Sequence, residues 1–303
     1  MKHLKGRVFA LFIILALILG GCSSNTANNT VGQNDDEVVK KDVCLDIVTT
    51  DRILYYMVKD IVHDKHNVEY MFKDRASQYN FSFTDDSLYN IGNKDLFIYM
   101  GAAYEPWADD FIEKLSKDKV RVINVSRGVK IQSLNKEIKY KDKIMKDNPY
   151  YLLNYDNYKI ALLNIKNSIQ DNDPKNRDFY EKNFNETIKA TEAEQRAILD
   201  ITSKLSDYTF VYAEDKLDYF VRYNSLNYIR LSEKNTTLKK PSKTVFLYCD
   251  SNVLSENEGF IKNNNINTLN VRCYENDIKY QDILMLNKGL FTSFYNSVNI
   301  KEQ

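Results

Sequence analysis

The sequence predicts an α/β protein made of two βα lobes with mainly parallel sheets, joined by one long rigid helix. Three observations carry that expectation. Short β-rich runs alternate with helical patterns, as happens where parallel strands are covered by helices. A continuous helical pattern of about 30 residues separates two such series, and at 1.5 Å per residue it spans roughly 45 Å. The chain has 303 residues, and the part that follows an apolar leader, about 280 residues, is enough for two modest lobes with their own cores.

The leader comes first. Lys2, Lys5 and Arg7 precede an apolar run from Val8 to Leu19, which ends in Gly20-Gly21-Cys22. A run of about 12 residues is too short to cross a hydrocarbon core roughly 30 Å thick. Residues 1–21 therefore read as a lipoprotein signal peptide, cut in front of Cys22, which takes the lipid. An ordinary secretory peptide with an incidental cysteine fits poorly, because small residues crowd the cut. The mature chain is expected outside the cytoplasm, lipid-anchored at the cell membrane. Residues 22–42 are polar and are expected to form a flexible tether.

The N-terminal lobe is placed at 43–172. Its strands are read at Val43 to Thr49, Val68 to Phe72, Asp95 to Met100 and Val120 to Val125, and its helices at Ile53 to Val62 and around Trp107 to Leu115, with a polar loop before Asp95. The connecting helix is placed at 173–205. Asp173 suits its N-cap and Pro174 its first turn, and Tyr180, Phe184, Ile188, Thr191, Ile198, Ile201 and Leu205 recur at helical spacing. The C-terminal lobe, 206–303, reads as strands at Tyr208 to Ala213, Tyr228 to Leu231, Thr244 to Cys249 and Thr268 to Cys273. Helices are expected from about Asp215 to Tyr223, near Ser255 to Asn263 and near Tyr280 to Tyr295.

Composition excludes several classes. Lys plus Arg equal Asp plus Glu at 42 each, with no long like-charge run, so nucleic acid is not expected as a partner. Beyond Cys22 there are Cys44, Cys249 and Cys273, without zinc-type spacing. Cys249 and Cys273 each end a strand-like run and are read as buried thiols, a disulfide being the alternative. No nucleophile–base signature, Gly-rich phosphate loop or HExxH occurs, and no enzyme is expected. Asp85-Asp86 and Asp109-Asp110 read as caps or solvated faces. The tyrosine clusters read as half-buried packing residues. His63 and His66 read as solvated turn residues.

Local motifs add a resemblance. Asp95-Leu96-Phe97-Ile98-Tyr99, then Gly101, then Glu105-Pro106-Trp107, resembles the zinc- and manganese-binding lipoproteins that feed bacterial metal ABC importers. Asn148-Pro149-Tyr150-Tyr151-Leu152-Leu153-Asn154 is similar to that family's Asp-Pro-His-x-Trp-Leu-Asp. Asp173-Pro174 with Tyr180 resembles the start of its connecting helix, and Phe210 to Phe220 resembles its Phe-x-x-x-His-Asp segment. The resemblance implies an extracytoplasmic solute-binding protein, acting as a monomer, with an ABC permease as partner and a divalent metal as its ligand.

It also implies where ligands should stand. The family's three histidines fall here at Tyr79, Tyr150 and Glu214. The fourth, acidic position falls near Arg272, with Asp250 as another carboxylate at a strand end. Three histidines exist in the chain, at positions 3, 63 and 66, and none fills the gap. Phenols with an ordinary pKa of about 10 are poor zinc ligands near neutrality. The ligand candidates are therefore Tyr79, Tyr150, Glu214 and Asp250, without the metal the family's histidines would hold. Either Tyr79 and Tyr150 pack into and close the cleft, which is the preferred reading, or the cleft takes a hard trivalent ion or an organic solute. A binding or adhesion module that kept the scaffold without metal is a further alternative.

Overall fold

Leu96–Tyr99 and Thr244–Tyr248 are apolar almost throughout, as central strands must be when helices cover both faces of a parallel sheet. The computed structural model describes residues 42–231, 243–274 and 277–300. The leader, Cys22, the tether up to residue 41 and residues 232–242 lie outside these described residues. Among them, no helix is long and apolar enough to cross a membrane.

Strands β1 (Asp46–Thr49), β2 (Asn67–Tyr70), β3 (Leu96–Tyr99) and β4 (Arg121–Asn124) form one parallel sheet in the order β2-β1-β3-β4. Strands β7 (Thr209–Tyr212), β8 (Tyr228–Arg230), β9 (Thr244–Tyr248) and β10 (Asn267–Asn270) form a second in the order β10-β9-β7-β8. Reading each from its first strand, the two orders are the same. In each, the chain turns to opposite sides of its first strand, so a switch point lies between β1 and β3 and another between β7 and β9. Crevices outside the carboxyl ends of strands at such points are where open α/β sheets bind ligands.

The long helix is present as α6 (Arg177–Ser203), 27 residues. It packs against α1 (Arg52–Val62) and α5 (Tyr155–Asn172) beside the first sheet and α10 (Tyr280–Asn299) beside the second. One core cluster accordingly runs through both lobes, from Ile47 and Leu54 through Tyr155 and Ile198 to Phe210 and Phe291. Val43–Gln303 forms one compact unit.

Several expectations need correction. The stretch before Asp95 is not a polar loop but two short helices, α2 (Arg75–Tyr79) and α3 (Asp85–Gly92). Asp74 caps the first, and Thr84 with Ser87 forms a capping box on the second. Asp85 and Asp86 stand in the first turn of α3, Asp109 and Asp110 in that of α4 (Ala108–Lys114), where the helix dipole favours carboxylates. Asp173 does not cap α6. It ends α5, and a 3-10 turn, Pro174–Asn176, intervenes before α6 begins. Between β4 and α5 the chain adds an antiparallel hairpin, β5 (Ser133–Tyr140) and β6 (Lys143–Asp147). The helix expected near Ser255 to Asn263 is split into α8 (Ser251–Glu256) and α9 (Glu258–Asn263), and the Asp215 segment is a 3-10 turn followed by α7 (Asp218–Tyr223).

Side-chain expectations also change. His66 is not solvated but buried: Tyr180 Oη lies 2.7 Å from its Nε2, and the Leu45 N–H donates to its Nδ1 at 3.3 Å. His63 is exposed, as expected. Cys249 and Cys273 are joined in a disulfide, not held as thiols. Many tyrosines are fully buried, Tyr104, Tyr151, Tyr155, Tyr158, Tyr180, Tyr212 and Tyr219 among them.

Candidate functional site

Glu105 organises the first switch point. The turn after β3 passes through Gly101 at φ +74°, Ala102 at +49° and Ala103 at +60°, three consecutive left-handed residues. At Gly101 a Cβ would lie 2.1 Å from Asn124 Oδ1, so only glycine fits. The turn is held by the buried Glu105 carboxylate, which accepts from the Met100 N–H at 2.9 Å, the Gly101 N–H at 3.0 Å, the Thr50 hydroxyl at 2.5 Å and Gln78 Nε2 at 3.3 Å. Trp107 Nε1 donates to the Gln78 carbonyl at 2.7 Å. The Gly101, Glu105 and Trp107 motif thus fixes α2, the helix that carries Tyr79.

Arg75 sits one turn before Tyr79 on α2. Its Nη1 donates to the Tyr104 carbonyl at 2.6 Å and to Gln78 Oε1 at 3.0 Å. Its guanidinium lies 3.8 Å from the Tyr104 ring centroid and 5.4 Å from that of Tyr79, a cation–π arrangement. Burial works against its charge, but Tyr104, Tyr150, Glu105 and Tyr274 more than offset this and raise its pKa. Burial pushes Glu105 up, with its hydrogen-bond donors and Arg75 opposing. Asp51, the N-cap of α1, is pushed up to about 7 by burial and then by Glu105, against Leu54 N–H and Arg75.

The nominated residues meet this cluster unequally. The Tyr79 ring stands edge-on to Tyr140 of the hairpin at 5.3 Å. Tyr150 lies in a three-ring group with Tyr104 at 6.3 Å and Tyr274 at 6.2 Å, and Lys216 Nζ lies 5.7 Å from its ring centroid. Tyr274 Oη donates to the Pro149 carbonyl at 2.9 Å, tying the Tyr150 segment to the second lobe. Tyr79 therefore flanks the Arg75 guanidinium and Tyr150 flanks the Tyr104 ring, with Lys216 as the cation beside Tyr150.

Glu214 and Asp250 belong to the second switch point. Glu214 Oε1 accepts from the Cys249 N–H at 2.5 Å and the Asp250 N–H at 3.4 Å, as Glu105 accepts from the end of β3. Its Oε2 is buried without a hydrogen-bond partner among the described residues, and burial pushes its pKa up against the Cys249 N–H and Lys216. Asp250 caps α8 through the Asn252 N–H and lies 3.9 Å from Lys216 Nζ. Arg272 follows β10 and is exposed. Among the described residues, no group of three or more His, Cys, Asp and Glu side chains could hold a metal ion. Arg75, Tyr104, Tyr274 and Lys216 were not singled out in the sequence. The one signal for Arg75 is its spacing of four from Tyr79, which puts both on one helix face.

Two parallel βα lobes of matching strand order, spanned by one long helix and carrying polar groups at both switch points, define a two-lobed, helix-linked binding protein. The family described as "Zinc-uptake complex component A periplasmic" (ZnuA) matches residues 47–249, and the chain belongs to it. It is 28% identical over 196 residues to the metal ABC transporter substrate-binding lipoprotein FimA of Streptococcus parasanguinis, covering 63% of this chain and 59% of that one. It is 24% identical over 227 residues to the high-affinity zinc uptake system protein ZnuA of Bacillus subtilis, covering 72% and 66%. The matched part thus spans less than two thirds of each of these relatives. The fold is similar to the metal-dependent lipoprotein YcdH of Bacillus subtilis, with TM-score 0.66 and 18% identity over 83% of this chain and 98% of that one.

Proposed function

We propose that this protein is the extracytoplasmic solute-binding component of an ABC importer, held at the membrane by acyl chains on Cys22 and delivering its solute to a permease as a monomer. The division into lobes at 43–172 and 206–303, with 173–205 between them, is part of this reading. Relatives named as substrate-binding lipoproteins of metal ABC transporters support it, as does membership of a family of transporter binding proteins and not of enzymes.

The cleft of this chain departs from zinc and manganese chemistry. The observation that carries this is Arg75: its guanidinium, hydrogen-bonded to the Tyr104 carbonyl and facing Tyr79 and the Tyr104 ring, supplies the positive charge that a bound ion would bring. A second cation there would meet direct repulsion, and the neighbouring Glu105 carboxylate already has four donors.

Thermal unfolding with added Zn²⁺ or Mn²⁺ tests the reading. A metal bound to the folded state alone stabilises by about 2.7 kcal/mol at 100 times its Kd, which is worth roughly 5–10 °C in a domain of this size. The expected shift is under about 2 °C for either ion. A rise of several degrees in the wild-type chain overturns the altered cleft, whereas one that appears only in Arg75→Met supports it.

A further inference from the structure

The two switch points are built alike but filled differently. At the first, between Asp51, Arg75, Gln78, Tyr104 and Tyr274, only about 20 Å³ remains open. At the second lies a crevice of about 260 Å³ lined by Lys216, Asp250, Asn270 and Arg272, with the Cys249–Cys273 disulfide in its wall. These residues follow three adjacent parallel strands: Lys216 comes after β7, Cys249 and Asp250 after β9, Arg272 and Cys273 after β10.

The chemistry of that crevice selects its occupant. Among the described residues, its charged side chains are two cations, Lys216 and Arg272, and one anion, Asp250. Glu214, close behind, has one carboxylate oxygen committed to backbone N–H groups, and it adds no imidazole or thiolate. The two sulfurs are bonded to each other, so neither is available as a soft metal ligand. Lys216 is shared by Asp250 and Glu214, so the charge left to a ligand is that of Arg272, which suits one carboxylate group. Arg272 offers a planar fork that matches a carboxylate, Lys216 a compact point charge beside it, and Asp250 an acceptor for a donor carried on the same molecule. The volume suits a solute of amino-acid or dicarboxylic-acid size, below the usual drug-sized range of about 300–1,000 Å³.

We infer that the crevice between Lys216, Asp250 and Arg272 binds a small carboxylate-bearing organic solute. This rests on the reading of the chain as a solute-binding protein and names the class of solute.

Calorimetric titration of the purified full-length chain in detergent, at low ionic strength, tests it with glutamate, succinate and inorganic phosphate as probes. Glutamate or succinate is expected to bind with a Kd below about 1 mM and to weaken about tenfold or more in Arg272→Gln and in Lys216→Gln. Arg272 is exposed, so unliganded melting temperature and far-UV circular dichroism should match wild type in Arg272→Gln, and that variant carries the test if Lys216→Gln, which loses its contacts with Asp250 and Tyr150, is less stable. Tighter binding of glutamate than of succinate assigns Asp250 to the ammonium, and Asp250→Asn should then erase the difference. No carboxylate bound at about 10 mM, phosphate preferred over both carboxylates, or affinity unchanged in both variants overturns the inference. Zn²⁺ titrated into the same sample separates the two proposals. Tight metal binding without carboxylate binding removes the inference and leaves a solute-binding protein. Carboxylate binding with undiminished uptake of that solute in cells lacking the protein supports the site and removes the importer reading.

Discussion

At the scale of single residues, the first switch point is a compact acid–base arrangement. Asp51 and Glu105 are two carboxyls in one buried neighbourhood, and Arg75 is the cation that faces them. The ordinary value of the Asp51 carboxyl, 3.8, is pushed up to about 7. Between about pH 4 and pH 7 the folded chain keeps a proton that the unfolded chain has released, so stability declines as the pH rises through that window. Asp51→Asn retains the oxygen that accepts from the Leu54 N–H at 3.1 Å but cannot ionise. The variant should therefore gain on wild type in melting temperature between pH 5 and pH 8. A constant difference across that range would contradict the assignment. Tyr79, Tyr150 and Glu214 could be picked from the sequence because each lies in a segment with a recognisable neighbour, such as Asn148-Pro149 or Phe210. Arg75, Tyr274 and Lys216 could not, because nothing in the chain announces that Tyr104 and Tyr274, separated by 170 positions, share one ring cluster. His66 was misread for a related reason: its burial depends on Tyr180 and Asp173, over a hundred residues downstream.

At the scale of elements, the strands and long helices were legible because their signals are long and periodic. Leu96–Tyr99, Thr244–Tyr248 and Arg177–Ser203 fall where β-rich runs and the 3.6-residue repeat put them. The pieces that escaped are short or exposed. Arg75–Tyr79 has five residues and one fully buried side chain, and six of the eight residues of Ser133–Tyr140 are exposed. Neither pattern rises above that of a polar loop. The disulfide escaped because pairing depends on β9 and β10 lying side by side, with Leu247 opposite Leu269 and Tyr248 opposite Asn270. It closes a loop of 24 residues in sequence separation. Replacing both cysteines by serine should cost about 2–4 kcal/mol in urea unfolding, and a reducing agent should lower wild type by a similar amount. Equal stability with and without the bond would show that the loop is already confined in the unfolded chain.

For the molecule as a whole, the two sheets share a strand order but not a separate existence. Helix α6 touches α1 and α5 on one side and α10 on the other, and the largest core cluster draws on both sheets. Unfolding should therefore occur in a single transition. The one tryptophan, Trp107, is buried in the first lobe, so its fluorescence and the far-UV circular dichroism of the whole chain should give the same midpoint. Two separated midpoints would mean that the lobes melt independently.

Because Arg75 is carried on the chain itself, the charge it places among Tyr79, Tyr104 and Glu105 has a fixed local concentration that no dilution of the surroundings can lower. An ion arriving from outside competes against an occupant that cannot diffuse away. If the proposed reading holds, a protein built this way keeps the same internal neutrality whatever the metal content of the surrounding fluid, and supply alone gives it no reason to change shape.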